Sequence, residues 1–250
     1  MAKRKSPNPQ SAIRNPQSQA DLLFEIGTEE LPAAYLPDLI AQLASEAQRL
    51  LRAQHLLFAA VRSLGTPRRL VLEVTGLGAT QRNPAEEIRG PSKQASYDGA
   101  GKPTPALLGF LKSRGGTLAQ TKLVDSEKGA YIYLIKPPKD VPTVHVLPLL
   151  LPQLISALRA PKTMRWDATG VRFARPIRWL LALYGERPMA CAFGRLTSRP
   201  STWVKGPKRP RAVAVRSIEQ YHRVLKTAGI ILDQAERRRR IEQSVAQVAA

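Results

Sequence analysis

Apolar positions along this chain fall into two rhythms, short continuous runs and longer stretches repeating every three to four residues. Leu22 to Ile26 is a run of the first kind and reads as a buried strand, left through Gly27-Thr28. Thr28 is then expected to cap a helix, with Glu29 and Glu30 in its positive first turn. Helical spacing is plain at Leu36, Leu39, Ile40, Leu43, Ala47, Leu50 and Leu51. A second strand is predicted from Leu70 to Val74, closed by Gly76 and Gly78. Tyr97 to Gly101 is turn material, and Thr104-Pro105 opens a helix that Gly115-Gly116 stops. Ala130 to Lys136 reads as a strand ended by Pro137-Pro138. A helix from Val144 to Leu158 is expected to kink or break at Pro148 and Pro152. Ile177 to Tyr184 and Met189 to Leu196 flank Gly185-Glu186 as a hairpin. Helices from Ile218 to Ala228 and from Gln234 to the last residue close the chain. No regular βαβ alternation runs through this order. The expected class is α+β, a mostly antiparallel sheet with packed helices.

Residues 1–20 differ from the rest, with four basic and no acidic residues and Asn-Pro-Gln-Ser repeated at 8–11 and 15–18. Such a segment buries too little apolar surface to order itself and is expected to be a disordered basic tail. One α+β region is expected over 21–250; a division into two subdomains, if present, falls near 137–160. The last helix meets no stop signal before Ala250, which reads as an abrupt, truncated boundary.

Charge adds what periodicity cannot. Lys and Arg number 39 against 19 Asp and Glu, a formal net charge of +20. That excess favours polyanionic partners. A membrane is disfavoured, because no apolar run approaches the roughly 20 residues of a spanning helix. The N-terminus lacks the apolar stretch of a signal peptide. The single Cys191 excludes an internal disulfide framework and a cysteine zinc cage, and fits a reducing cytoplasm.

Catalytic constellations are absent from the sequence. His55, His145 and His222 are scattered, without metal-ligand spacing, and no phosphate-binding Gly-rich loop precedes a Lys-Ser/Thr pair. Glu29 and Glu30 are adjacent and do not face one another, so they make no acid/base dyad. Arginine stands out instead. From Lys162 to Arg211 there are twelve Lys/Arg and two acids, interleaved with Trp166, Phe173, Trp179 and Trp203. Guanidinium forks suit phosphates and exposed indoles stack on unpaired bases; a solvated or subunit-facing surface is the alternative. The residues alone describe a basic cytoplasmic α+β protein that binds RNA.

Six blocks, in order, carry a resemblance: DLLFEIGTEELP at 21–32, GTPRRL at 65–70, EIRGP at 87–91, GKPTPALLGFLKSRG at 101–115, EKGAYIY at 127–133 and PKTMRWDATGVRFARPIRWLLALYG at 161–185. Together they resemble the N-terminal portion of the β subunit of the bacterial two-subunit glycyl-tRNA synthetase. The resemblance implies an ATP-dependent ligase joining glycine to tRNA, with two α and two β subunits in a heterotetramer. The α subunit would hold the catalytic site and use ATP with Mg; the β subunit would supply tRNA binding and assembly, with no catalytic residue, metal or cofactor of its own. It further implies contacts to tRNA(Gly) or to the α subunit at Glu29, Glu30, Arg68, Arg69, Arg89, Lys162, Arg165, Trp166, Arg172 and Arg175, the carboxylates acting as internal or subunit braces. A stand-alone basic RNA-binding module, or an inactive fragment, is the competing reading. The chain departs from the family in two respects. A Gly-His-Arg-Phe block is replaced by STWVKGPKRPRAVAV at 201–215, and the HD-like and anticodon-binding domains lie beyond it.

Overall fold

The structure is a computed structural model that describes residues 19–126, 129–205 and 209–249. The elements in chain order are β1 (Gln19–Thr28), α1 (Leu36–Ala53), β2 (Ala60–Thr66), β3 (Arg69–Gly78), β4 (Thr80–Asn83), β5 (Glu86–Ser92), α2 (Lys93–Ser96), α3 (Pro105–Arg114), β6 (Thr121–Ser126), β7 (Gly129–Lys136), β8 (Lys139–Pro142) and α4 (Thr143–Ala157). There follow β9 (Met164–Arg165), β10 (Arg172–Phe173), β11 (Ile177–Tyr184), β12 (Arg187–Pro188), β13 (Ala192–Phe193), β14 (Leu196–Thr197), β15 (Ser201–Val204), β16 (Arg211–Ala214), α5 (Ile218–Thr227) and α6 (Gln234–Ala249). The fold is α+β, with antiparallel pairing throughout the registered strands.

The chain forms two compact units, residues 82–141 and the remainder. In the larger unit a five-stranded sheet runs β12-β11-β1-β3-β2. Its central strand β1 is covered on both faces, which is why Leu22 to Ile26 is a continuous run rather than an alternation. Strand register sorts the faces. Leu22, Phe24 and Ile26 share a row set with Leu70, Leu72 and Val74, on the side where α1 packs: a Cβ on Gly65 would meet Ile40 at 2.9 Å. The opposite face gathers Leu23, Val71, Leu181 and Leu183 under β15 and α5, through Val204, Tyr221 and Leu225. Helix α1 buries its predicted stripe, Leu36 through Leu51, without exception.

The smaller unit is a three-stranded sheet, β5-β7-β6. Helix α3 packs on it through Leu107 and Leu111 against Ile132 and Leu134. Thr104 caps α3 as expected, its hydroxyl accepting from the Leu107 amide at 3.4 Å, and Gly115 closes it with φ +62°.

Three expectations are corrected. Thr28 ends β1 instead of capping a helix, and α1 starts at Leu36, where Pro37 presets the helical φ of its first turn. Of the two outcomes expected at Pro148 and Pro152, the break is corrected: α4 is one continuous helix, carried by a buried face that includes Leu147, Leu150, Leu151 and Leu154. The return strand after Gly185-Glu186 is only Arg187–Pro188 rather than a strand over Met189 to Leu196; one further amide, Met189, donates to the Ala182 carbonyl at 3.0 Å before the chain leaves the sheet. The expectation of a disordered tail lies mostly outside the described residues; Gln19 and Ala20 open β1.

Candidate nucleic-acid interface

One row across the sheet organises the site: Arg69 on β3, Gly27 on β1 and Trp179 on β11. Gly27 has no side chain, so its two neighbours converge above it. The Arg69 guanidinium carbon lies 5.6 Å from the Trp179 ring centre, in cation–π range. On the same strand face, two residues back, sits Glu25, wholly buried.

Arg69 and Glu25 form a closed ionic cluster with β15. Arg69 Nη1 donates to Glu25 Oε1 at 2.8 Å and to Thr202 Oγ1 at 3.0 Å. The Thr202 hydroxyl donates to the same Glu25 oxygen at 3.0 Å. Arg69 Nη2 donates to the Trp203 carbonyl at 2.7 Å. Burial pushes the Glu25 carboxyl above its ordinary range, and the Arg69 charge opposes that push. Trp179 Nε1 and the Tyr221 hydroxyl are buried close enough to Glu25 to favour its charge, yet neither reaches hydrogen-bond geometry. Burial, and then the charge of Glu25, drive the Tyr221 hydroxyl well above its usual range. The cluster bolts β15 to the sheet and fixes where Trp203 stands.

Beside it opens a cleft of about 1440 Å³. Residues after β1, the β2–β3 turn, Trp166, the start of β11, Arg195 and the end of β15 supply its walls. Among the described lining residues seven are Arg or Lys and three are acidic, so the cleft favours anions. Arg178 reaches this rim through a register slip. Gly27 pairs with Trp179 and Thr28 with Ile177, leaving Arg178 as the extra residue of a bulge. Its Nη1 lies 3.6 Å from Glu29 Oε1, and Arg68 Nη2 lies 3.7 Å from Glu30 Oε2, all four side chains being exposed. Such pairs contribute about 0–1 kcal/mol and exchange a carboxylate for a phosphate at little cost. Asp167 is held below its usual range mainly by the Thr169 hydroxyl. Arg237 is committed to the wall itself, donating to the carbonyls of Ile231 at 2.8 Å and Gly65 at 3.2 Å. Among the described residues no group of three or more His, Cys, Asp or Glu could hold a metal ion.

Residues 22–250 match the family model described as glycyl-tRNA synthetase beta subunit. The chain belongs to that family. It is 38% identical over 230 residues to the glycine–tRNA ligase beta subunit of Moorella thermoacetica, covering 92% of this chain and 33% of that protein. The corresponding subunits of Syntrophotalea carbinolica and Syntrophomonas wolfei are 37% and 39% identical, each over 229 residues, with the same 92% and 33% coverage. The chain therefore spans about a third of the length of these curated relatives and corresponds to an N-terminal portion. Those relatives are named as subunits of a glycine–tRNA ligase. No helix among the described residues is long and apolar enough to cross a membrane.

The ten residues that the synthetase resemblance singled out are dispersed by the fold. Glu29, Glu30, Arg68, Arg69 and Trp166 line the cleft, Arg69 as its buried floor. Arg165 and Arg172 face each other across the β9–β10 ladder, where Arg172 Nε donates to Thr163 Oγ1 at 3.2 Å. Lys162 and Arg175 are exposed on the flanking segments. Arg89 belongs to the smaller unit, its guanidinium 3.7 Å from the Tyr131 ring centre. Sequence reasoning passed over Glu25, Arg178, Arg195, Thr202 and Lys205. Glu25 had a signal, a lone charge inside an otherwise apolar strand; Arg178 lay within the arginine-rich stretch, but nothing in composition marks the bulge that singles it out.

Proposed function

We propose that this chain serves as the N-terminal part of a glycine–tRNA ligase β subunit in the cytoplasm. In this reading it binds tRNA through the basic cleft and assembles with a catalytic α subunit, two of each forming the enzyme. ATP and Mg would act at the α subunit. The observation that carries the reading is the cleft's charge: a concentration of guanidinium groups on a rigid sheet end, in a chain of this family. Arg178 and Arg68 at the rim are exposed and held only by long carboxylate contacts, so phosphate can replace those partners.

Glycylation of tRNA by purified α subunit, with and without the 250-residue chain, tests the activity. A rise in charging supports the β-subunit reading, and no rise overturns it for this length of chain. Binding of tRNA by the chain alone, measured across a salt series, tests the electrostatic part. Affinity should fall steeply, because every phosphate neutralised releases counterions.

A further inference from the structure

Trp203 stands on β15, where successive side chains alternate between buried and open positions. It is 39% exposed, in the wall of the cleft, while its strand neighbours Thr202 and Val204 are buried. An indole face left open beside cations offers an unpaired base a stacking surface next to counter-charges for its phosphates. Its position is also unusually determined. The backbone carbonyl of Trp203 accepts from buried Arg69 at 2.7 Å. The preceding Thr202 hydroxyl is held between Arg69 and Glu25 at 3.0 Å each. Its ring leans on Trp179, with centroids 6.4 Å apart and planes tilted by 44°. The indole is thus preorganised, and ordering it on binding costs little side-chain entropy.

We propose that Trp203 is a stacking platform for an unpaired RNA base, and that the cleft takes a single-stranded segment rather than a duplex. Arg178, Arg195 and Lys205, in the walls of the same cleft, meet the phosphates flanking that base. Stacking on an indole is tolerant of base identity, because every base offers a π-face. A duplex keeps its bases stacked on one another and offers the platform only sugar and phosphate. The buried Glu25–Arg69 pair acts here as a positioning device: it touches no RNA and sets the height of β15 at the lip of the cleft. This inference rests on the RNA-binding reading above and specifies what part of the RNA the cleft accepts.

The test is fluorescence anisotropy with a labelled short oligoribonucleotide of mixed sequence, offered single-stranded and as a duplex, to the full chain and to W203A and W203F. W203A should weaken single-strand binding roughly ten-fold or more and leave duplex binding nearly unchanged, while W203F retains most of the affinity. Equal losses on both RNAs, or none on the single strand, overturn the platform. Salt-sensitive RNA binding that ignores W203A removes the platform and leaves the RNA-binding reading standing. Absence of any RNA binding removes both. A W203A variant that binds RNA normally but no longer captures purified α subunit identifies the cleft as a protein-docking surface, which also overturns the proposal.

Discussion

A Cβ placed on Gly27 would lie 1.9 Å from Cε2 of Trp179, so the indole occupies the space that any other residue on β1 would need. The same vacancy lets Arg69 approach from the opposite strand and reach Glu25. Gly27→Ala is therefore expected to destabilise the larger unit by about 2–3 kcal/mol, at the upper end of overpacking costs. Urea unfolding followed by tryptophan fluorescence checks this; a variant as stable as the parent would mean that the indole moves aside freely.

The Glu25–Arg69 pair should show strong non-additivity. Arg69→Met alone leaves a carboxylate buried without its counter-charge and is expected to cost about 3–5 kcal/mol. Combining it with Glu25→Leu removes the stranded charge and should recover most of the loss. A double-mutant cycle in denaturant measures the coupling, and additive losses would show that the two groups act independently.

His222 on α5 places Nε2 2.7 Å from Glu73 Oε1 on β3. That close contact with the Glu73 carboxylate raises the imidazole pKa above its ordinary 6.5; partial burial and Arg62 oppose it, and Glu219 adds to it. The Tyr221 ring meets the imidazole edge-on at 5.8 Å. A histidine whose folded pKa is raised contributes its full stabilisation below the unfolded value and loses it as pH rises through the folded one. Thermal melts between about pH 5 and about pH 8 should therefore show a modest fall in Tm that starts above the unfolded value. Glu73→Gln should flatten the dependence. The amplitude is small, since the imidazole is half exposed and solvent screens the pair.

Arg178→Gln should weaken RNA binding and flatten its salt dependence. Loss of one phosphate contact lowers the slope of log affinity against log salt by about 0.7 for a single strand. The same substitution at Arg165, on the β9–β10 hairpin and outside the cleft lining, should leave that slope unchanged. Equal effects at both positions would argue for a diffuse basic surface.

Local order and identity were written in the residues. The stripe from Leu36 to Leu51, the Thr104-Pro105 cap with Gly115, the turn at Gly185-Glu186 and the run from Leu22 to Ile26 all specify their elements through short-range backbone and burial preferences. The family too was legible, in six ordered blocks. The start of α1 was not, because a local cap signal competes there with residues further along the chain. The helix begins beyond Glu29 and Glu30, where its buried stripe and Pro37 outweigh Thr28.

The site was decided by tertiary structure. Glu25, Arg69 and Thr202 are separated by 44 and 133 residues from Arg69 outward, and only strand pairing and the packing of β15 bring them within hydrogen-bond reach. A one-residue slip in the β1–β11 register sends Arg178 to the rim, and the fold leaves Arg165, Arg172 and Arg175 elsewhere although all belong to the same arginine-rich stretch. Charge content is a sum over residues and can be read along a chain. Which charges converge depends on the faces of strands far apart in sequence, and those faces exist only once the sheet has formed.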